Sequence, residues 1–175
     1  MRVALLSADH VQPYRVLMLE AYALSPDAFT STAEERAAEP DSWWARRLAD
    51  PSGLTAAFGA FSGEELVGTV ALEFSNKPKT RHKGQLIGMY VKPQARGTGV
   101  GRLLVQAALS YAAARPGVEV LTLTVTQGNV PAESLYSSLG FKLFGVEPMA
   151  LRVASGYLAK VHMWALLRGG AETAA

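Results

Sequence analysis

The chain has 175 residues, about half of them hydrophobic, and a formal net charge of +2. That length suits one domain with a sizeable core, and so small and scattered a charge does not argue for nucleic acid as a partner. The absence of cysteine excludes disulfide frameworks, thiolate zinc sites and a cysteine nucleophile, and no apolar run reaches the ~18–20 residues of a membrane span.

Arg2 to Leu6 reads as a first strand rather than a signal peptide, so the cytoplasm is the expected compartment. Ser7 or Asp9 can cap the helix that follows. That helix carries Tyr14, Leu17, Met18, Ala21 and Tyr22 on one face, with Pro13 tolerable in its first turn. Ser25-Pro26-Asp27 ends it, and the alanine-rich stretch Ala28–Glu39 has room for a helical turn. Pro40-Asp41-Ser42 opens a further helix with Trp43, Trp44, Arg47 and Leu48 on one side, and Asp50-Pro51-Ser52-Gly53 breaks it. Leu54–Phe61 and Glu65–Phe74 form a predicted hairpin about Ser62-Gly63-Glu64.

Ser75–Arg81 is a loop; the basic run Lys77, Lys79, Arg81, His82, Lys83 reads as a solvated face of it. His82–Val91 is the next strand, and Pro93 ends it. Arg96, Gly97, Thr98, Gly99, Val100 and Gly101 follow, and then Leu103, Leu104, Ala107, Ala108 and Tyr111 at helical spacing. A glycine-rich turn running into a helix N-terminus presents unpaired N–H groups and the positive end of the helix dipole, a place that suits a phosphate. Neither the third glycine of a dinucleotide fingerprint nor a Gly-Lys-Ser/Thr ending is present, which argues against a nucleotide-binding regulator. Val118–Thr126 alternates as a strand; Pro131 suits the first turn of a helix that reaches Leu139, and Gly140 suits its C-terminal cap. Phe141–Glu147 and Tyr157–Leu167 are the last strands, joined by a predicted loop from Pro148 to Gly156. Seven strands interleaved with helices, without a linker or repeat, make residues 1–175 one α/β (α+β) domain with a mixed sheet.

Two motifs carry a resemblance. Arg96 to Gly101 spell Arg-x-x-Gly-x-Gly, and Asn129 to Phe141 spell Asn-x-x-Ala-x-x-Leu-Tyr-x-x-x-Gly-Phe. Together they resemble the signatures of the GNAT N-acetyltransferase superfamily, over roughly Leu54 to Leu167 in strand and helix order. Shorter stretches around His82, Tyr90 and Gly145–Leu151 look like a bacterial branch of it with no well-defined acceptor. The resemblance implies a mostly antiparallel sheet, helices on both faces and splayed central strands. Residues 54–167 would form the core, and 1–53 the acceptor-side strand and helices. It implies acetyl-coenzyme A as co-substrate, with no metal. Arg96, Gly97, Thr98, Gly99, Val100 and Gly101 would bind its pyrophosphate, while Met89, Tyr90, Val91 and Asn129 would hold the pantetheine arm. Tyr136 would be the general acid toward the leaving thiolate.

The general base is less plain. Gln85 stands where many relatives carry a glutamate, and it cannot act as a base. Glu73, on the adjacent strand, is the best carboxylate candidate if its side chain faces the cleft; otherwise it is an exposed strand-end charge. Tyr14, Tyr22, Phe29, Trp43, Trp44 and Tyr157 are aromatic candidates for the acceptor wall, most of them expected to serve the core. The expected reaction is acetyl transfer to a primary amine of a small molecule or protein, by direct attack in a ternary complex. The alternative is a non-catalytic acyl-coenzyme A binding module. A homodimer through the late strands is compatible with the sequence.

Overall fold

The computed structural model describes residues 1–167. The strands are β1 (Arg2–Leu5), β2 (Thr55–Ser62), β3 (Glu65–Phe74), β4 (Lys83–Val91), β5 (Val120–Thr126), β6 (Lys142–Val153) and β7 (Gly156–Leu166). The helices are α1 (Val11–Leu24), α2 (Ala33–Ala37), α3 (Asp41–Leu48), α4 (Val100–Ala114) and α5 (Val130–Ser138). One sheet takes the order β1-β2-β3-β4-β5-β7-β6. Among the described residues only the β4–β5 pairing is parallel.

Central strands are apolar on both faces because each face is covered. In β3, Val70 and Leu72 pack with Leu104 and Val105 of α4 and with Leu121 and Leu123 of β5. Ala71, between them, points to the opposite face, where Leu17 and Met18 of α1 and Trp44 of α3 form a second cluster. The α1 face read from the sequence, Tyr14, Leu17, Met18, Ala21 and Tyr22, is buried throughout.

Two features of the sheet position the site. Along β4 the register slips by one residue, from Tyr90 opposite Thr69 to Ile87 opposite Ala71. Gly88 sits inside that bulge at φ +59°, a left-handed conformation that glycine adopts without a steric penalty. A bulge bends its strand, and β4 leaves β5 early. The two pair only through Lys83, Gly84 and Gln85 with Val120, Leu121 and Thr122. Beyond Gln85 the sheet is open, and the segment after α1 roofs the opening. Thr126 Oγ1 donates to the Asp27 carbonyl at 2.5 Å, and Lys160 Nζ donates to Thr30 Oγ1 at 2.8 Å.

The predicted loop Pro148–Gly156 is corrected. β6 continues to Val153, and β6 and β7 form a long hairpin. Pro148 lies in an irregularity between the pairs Glu147–Lys160 and Leu151–Leu158, with Met149 at φ +54°. A proline without an N–H is accommodated there because a bulge needs no ladder donor at that point, and pairing resumes afterwards. Among the described residues no helix is long and apolar enough to cross a membrane.

Candidate active site

The turn between β4 and α4 places its glycines as the motif requires. Gly97 and Gly99 have φ of +76° and +85°, and a Cβ on either would stand in open space. Gly99 is the residue that caps α4, so the first amides of a 15-residue helix open onto the loop. A cavity of about 520 Å³ lies over it, lined by Arg96, Gly97, Gly99, Val100, Gly101 and, from the next helix, Leu135. Arg96 is steadied by donating from Nε to the Val91 carbonyl at 2.9 Å, with its guanidinium 5.7 Å from the Tyr90 ring centre. The Thr98 hydroxyl is turned away into the loop, where it donates to the Ala95 carbonyl at 2.7 Å. Arg102, passed over in the sequence, also lines this cavity and donates to Ser138 Oγ at 2.8 Å. Its position directly after the last glycine was the available signal.

The cavity runs into a second compartment of about 290 Å³ that occupies the opening between β4 and β5. Met89, Asn129, Ala132 and Tyr136 border both spaces, under the roof residues Ala28 and Phe29. Tyr90 and Val91 line the larger cavity from β4, on the edge that β5 has vacated. Asn129 is also the N-terminal cap of α5, its Oδ1 accepting from the Ala132 N–H at 3.3 Å. The cap fixes the side chain and leaves the amide NH₂ group able to donate.

Tyr136 is 5% exposed, and its ring packs edge-on to Phe141 of the same motif at 5.8 Å. Its hydroxyl has no protein hydrogen bond among the described residues. Burial pushes this phenol well above its ordinary acidity range, so it stays protonated. Tyr14 is raised in the same sense, by burial first and then by its neighbour Tyr22. Unfolded phenols release their protons near pH ~10. Above that the unfolded chain binds fewer protons than the native one, so stability is complete below pH ~10 and falls as pH rises through the native values. The urea midpoint is expected to drop as pH rises above about 10, and to drop less in the Tyr14→Phe/Tyr136→Phe double variant.

A third chamber of about 260 Å³ adjoins the second along Gln85, Ile87 and Gly88. Gln85 is the β4 partner of Glu73, and both line this chamber. Glu73 therefore faces the α1 and α3 side, opposite Leu72 and Phe74, but in a compartment that Tyr136 does not border. Its Oε1 accepts from Arg47 at 2.7 Å. Tyr14, Tyr22, Phe29, Trp43 and Trp44 line the same space. Tyr157 does not; it stands 53% exposed near the hairpin tip, paired with Arg152 across β6 and β7, and the expectation of a wall residue is corrected. His162 bonds Glu147 on the outer strands, and His10 bonds Ser7. Arg36 joins Arg47 in this chamber, and neither arginine was singled out from the sequence as a site residue. Helix-surface arginines carry no local signature, and the fold alone brings these two together.

A family model, acetyltransferase (GNAT) family, matches residues 17–141. A mycothiol acetyltransferase of Streptomyces scabiei is 32% identical over 133 residues, covering 74% of this chain and 39% of that protein. N-acetyltransferase 8B of Rattus norvegicus is 37% identical over 87 residues, covering 49% of this chain and 39% of that protein. This chain thus spans about two fifths of the length of these relatives. The structure of yncA from Salmonella typhimurium with its cofactor acetyl-CoA superposes with a TM-score of 0.79 at 19% identity, covering 100% of this chain and 98% of that one. A ribosomal-protein-alanine N-acetyltransferase from Brucella melitensis gives 0.79 at 22% identity, covering 95% of this chain and 100% of that one. At such identities the likeness is one of fold.

Proposed function

The chain belongs to the acetyltransferase (GNAT) family, and from that premise we propose that it moves an acetyl group from acetyl-coenzyme A to a primary amine. The acceptor is a small molecule or a protein, and the amine attacks directly in a ternary complex. One observation carries this reading. The Tyr136 phenol, kept protonated by burial and without a protein hydrogen bond among the described residues, stands where the glycine-loop cavity meets the opening between β4 and β5. Although its ring is buried, its hydroxyl oxygen remains open to that junction.

The residues present fit the cofactor. Open space above Gly97 and Gly99, the exposed amides at the start of α4 and the steadied Arg96 suit a diphosphate. The vacated edge of β4 and the Asn129 amide suit the peptide-like groups of pantetheine. When bound, acetyl-coenzyme A supplies the activated acyl group. Tyr136 then delivers a proton to the departing sulfur. Glu73, the one carboxylate lining the acceptor chamber among the described residues, receives the proton of the incoming amine, with Gln85 orienting it.

The test is a thiol-release assay over a panel of primary amines, run beside calorimetry with coenzyme A. Saturable coenzyme A binding with no turnover on any amine would favour a non-catalytic acyl-coenzyme A module, the reading that Gln85 supports. Gly99→Ala is expected to weaken coenzyme A binding, because a side chain at φ +85° carries strain of ~1–3 kcal/mol and its methyl would stand over the loop. Calorimetric Kd values for the two proteins check it.

A further inference from the structure

Three groups converge on the 260 Å³ chamber in a way that the acid and base roles do not use. The Trp43 ring is held between two guanidinium groups, Arg36 at 4.4 Å and Arg47 at 4.6 Å from its centre. Arg47 is committed to Glu73, and Arg36 is shared among several partners, the Tyr22 hydroxyl among them. It makes one short bond, from Nη2 to Ser31 Oγ at 2.6 Å, and a long contact of 3.5 Å from Nη1 to Glu39, which does not line the chamber. Arg36 Nε is buried with no partner. The second buried side-chain donor without a partner among the described residues is Trp44 Nε1, and Trp44 lines the same chamber at 1% exposure.

A buried donor without a partner costs roughly 1–3 kcal/mol, and each such group in a native fold calls for an explanation; neither atom here is open to solvent. Both orphans are donors. Arg36 and Arg47 face Glu73 across the lining, and Glu39 behind Arg36 at 3.5 Å leaves the neighbourhood neutral overall, so an acceptor that carries both an ammonium and a carboxylate meets an opposite charge at each end. Arg36, Trp43 and Trp44 border this chamber only, whereas Gln85, Ile87 and Gly88 are shared with the thioester compartment. An acceptor lying across the chamber therefore presents its amine at the Gln85 and Glu73 end and its other end to Arg36. The volume is just below the ~300 Å³ at which drug-sized sites begin.

We propose that the acceptor is a small amine carrying a carboxylate, of amino-acid size, whose carboxylate is held by Arg36 while its ammonium meets Glu73. This rests on the acetyl-transfer reading above and names the substrate class for that same site.

The experiment compares matched sets: alanine, methionine and phenylalanine, each with its amide and its decarboxylated amine. Thiol release gives kcat/KM for each. Tryptophan fluorescence, titrated with the coenzyme A complex already formed, gives equilibrium Kd. Each acid is expected to exceed its amide in kcat/KM by tenfold or more, and Arg36→Gln is expected to bring that ratio close to one and to weaken binding of the acid at least tenfold. Arg36→Lys, which keeps the charge but not the planar fork, is expected to retain part of the preference. Amides or decarboxylated amines used as well as the acids would overturn the proposal, as would a preference that survives Arg36→Gln. Coenzyme A binding without binding of any acid would sink the proposal and leave the transfer reading standing. Failure to bind coenzyme A would remove the transfer reading itself.

Discussion

Tyr136→Phe is expected to lower kcat roughly ten- to a thousand-fold while leaving coenzyme A affinity nearly unchanged. The substitution deletes one oxygen and keeps the ring, which packs against Phe141 at 5.8 Å, so the wall of the cavity is preserved. No protein hydrogen bond among the described residues is broken, because the hydroxyl makes none. What is lost is the proposed proton donor to the leaving sulfur, and an interaction made only at that stage reduces kcat and kcat/KM together. The pH profile gives an independent reading. Burial raises the phenol, so the wild-type rate should hold its alkaline side beyond the pH ~10 at which a free tyrosine ionises. An unchanged kcat in the Phe variant would take Tyr136 out of the mechanism.

Trp44→Ala is expected to destabilise the fold by about 3–5 kcal/mol, the range for deleting a fully buried large aromatic. Trp44 is 1% exposed and is the joint between α3 and the rest, packing edge-on against Tyr14 of α1 at 6.0 Å and against Trp43 at 4.9 Å. Against a typical total of ~5–15 kcal/mol, that loss is large. Trp44→Phe should cost clearly less than Trp44→Ala, since it keeps an aromatic ring, leaves a smaller cavity and removes an indole N–H that has no partner. Urea unfolding, compared at equal m-values, measures both. A phenylalanine variant as unstable as the alanine one would mean that the N–H is satisfied in the native protein.

The glycine-loop half of the candidate site was legible because its pattern is local. A strand, a proline, a glycine turn and a helix start lie within Gly88–Leu104, and Asn129 to Phe141 is one helix with its caps. The alternation of Leu72, Glu73 and Phe74 set Glu73 on the face opposite its two neighbours, while whether that face met the cleft stayed open. What stayed hidden depends on contacts distant in sequence. Arg36 and Arg47 reach Trp43 and Glu73 only because α2 and α3 fold over β3, a placement with no periodicity or motif to announce it. Tyr157 lies away from the chamber because Pro148–Gly156, which reads as a loop that would carry that tyrosine to the acceptor side, is held in a paired hairpin by a bulge. The cap role of Asn129 was available from its place before Val130-Pro131, but the pantetheine role overshadowed it.

The narrow contact between β4 and β5 has a mechanical side. Four strands with β1, and three with β7, are two leaves sewn together along Lys83–Gln85 and Val120–Thr122, with stitches at Asp27 and Thr30. A molecule laid along the unsewn stretch touches both leaves at once. Its binding energy is therefore also cohesion of the sheet, and occupancy and the alignment of the two leaves rise and fall as one equilibrium.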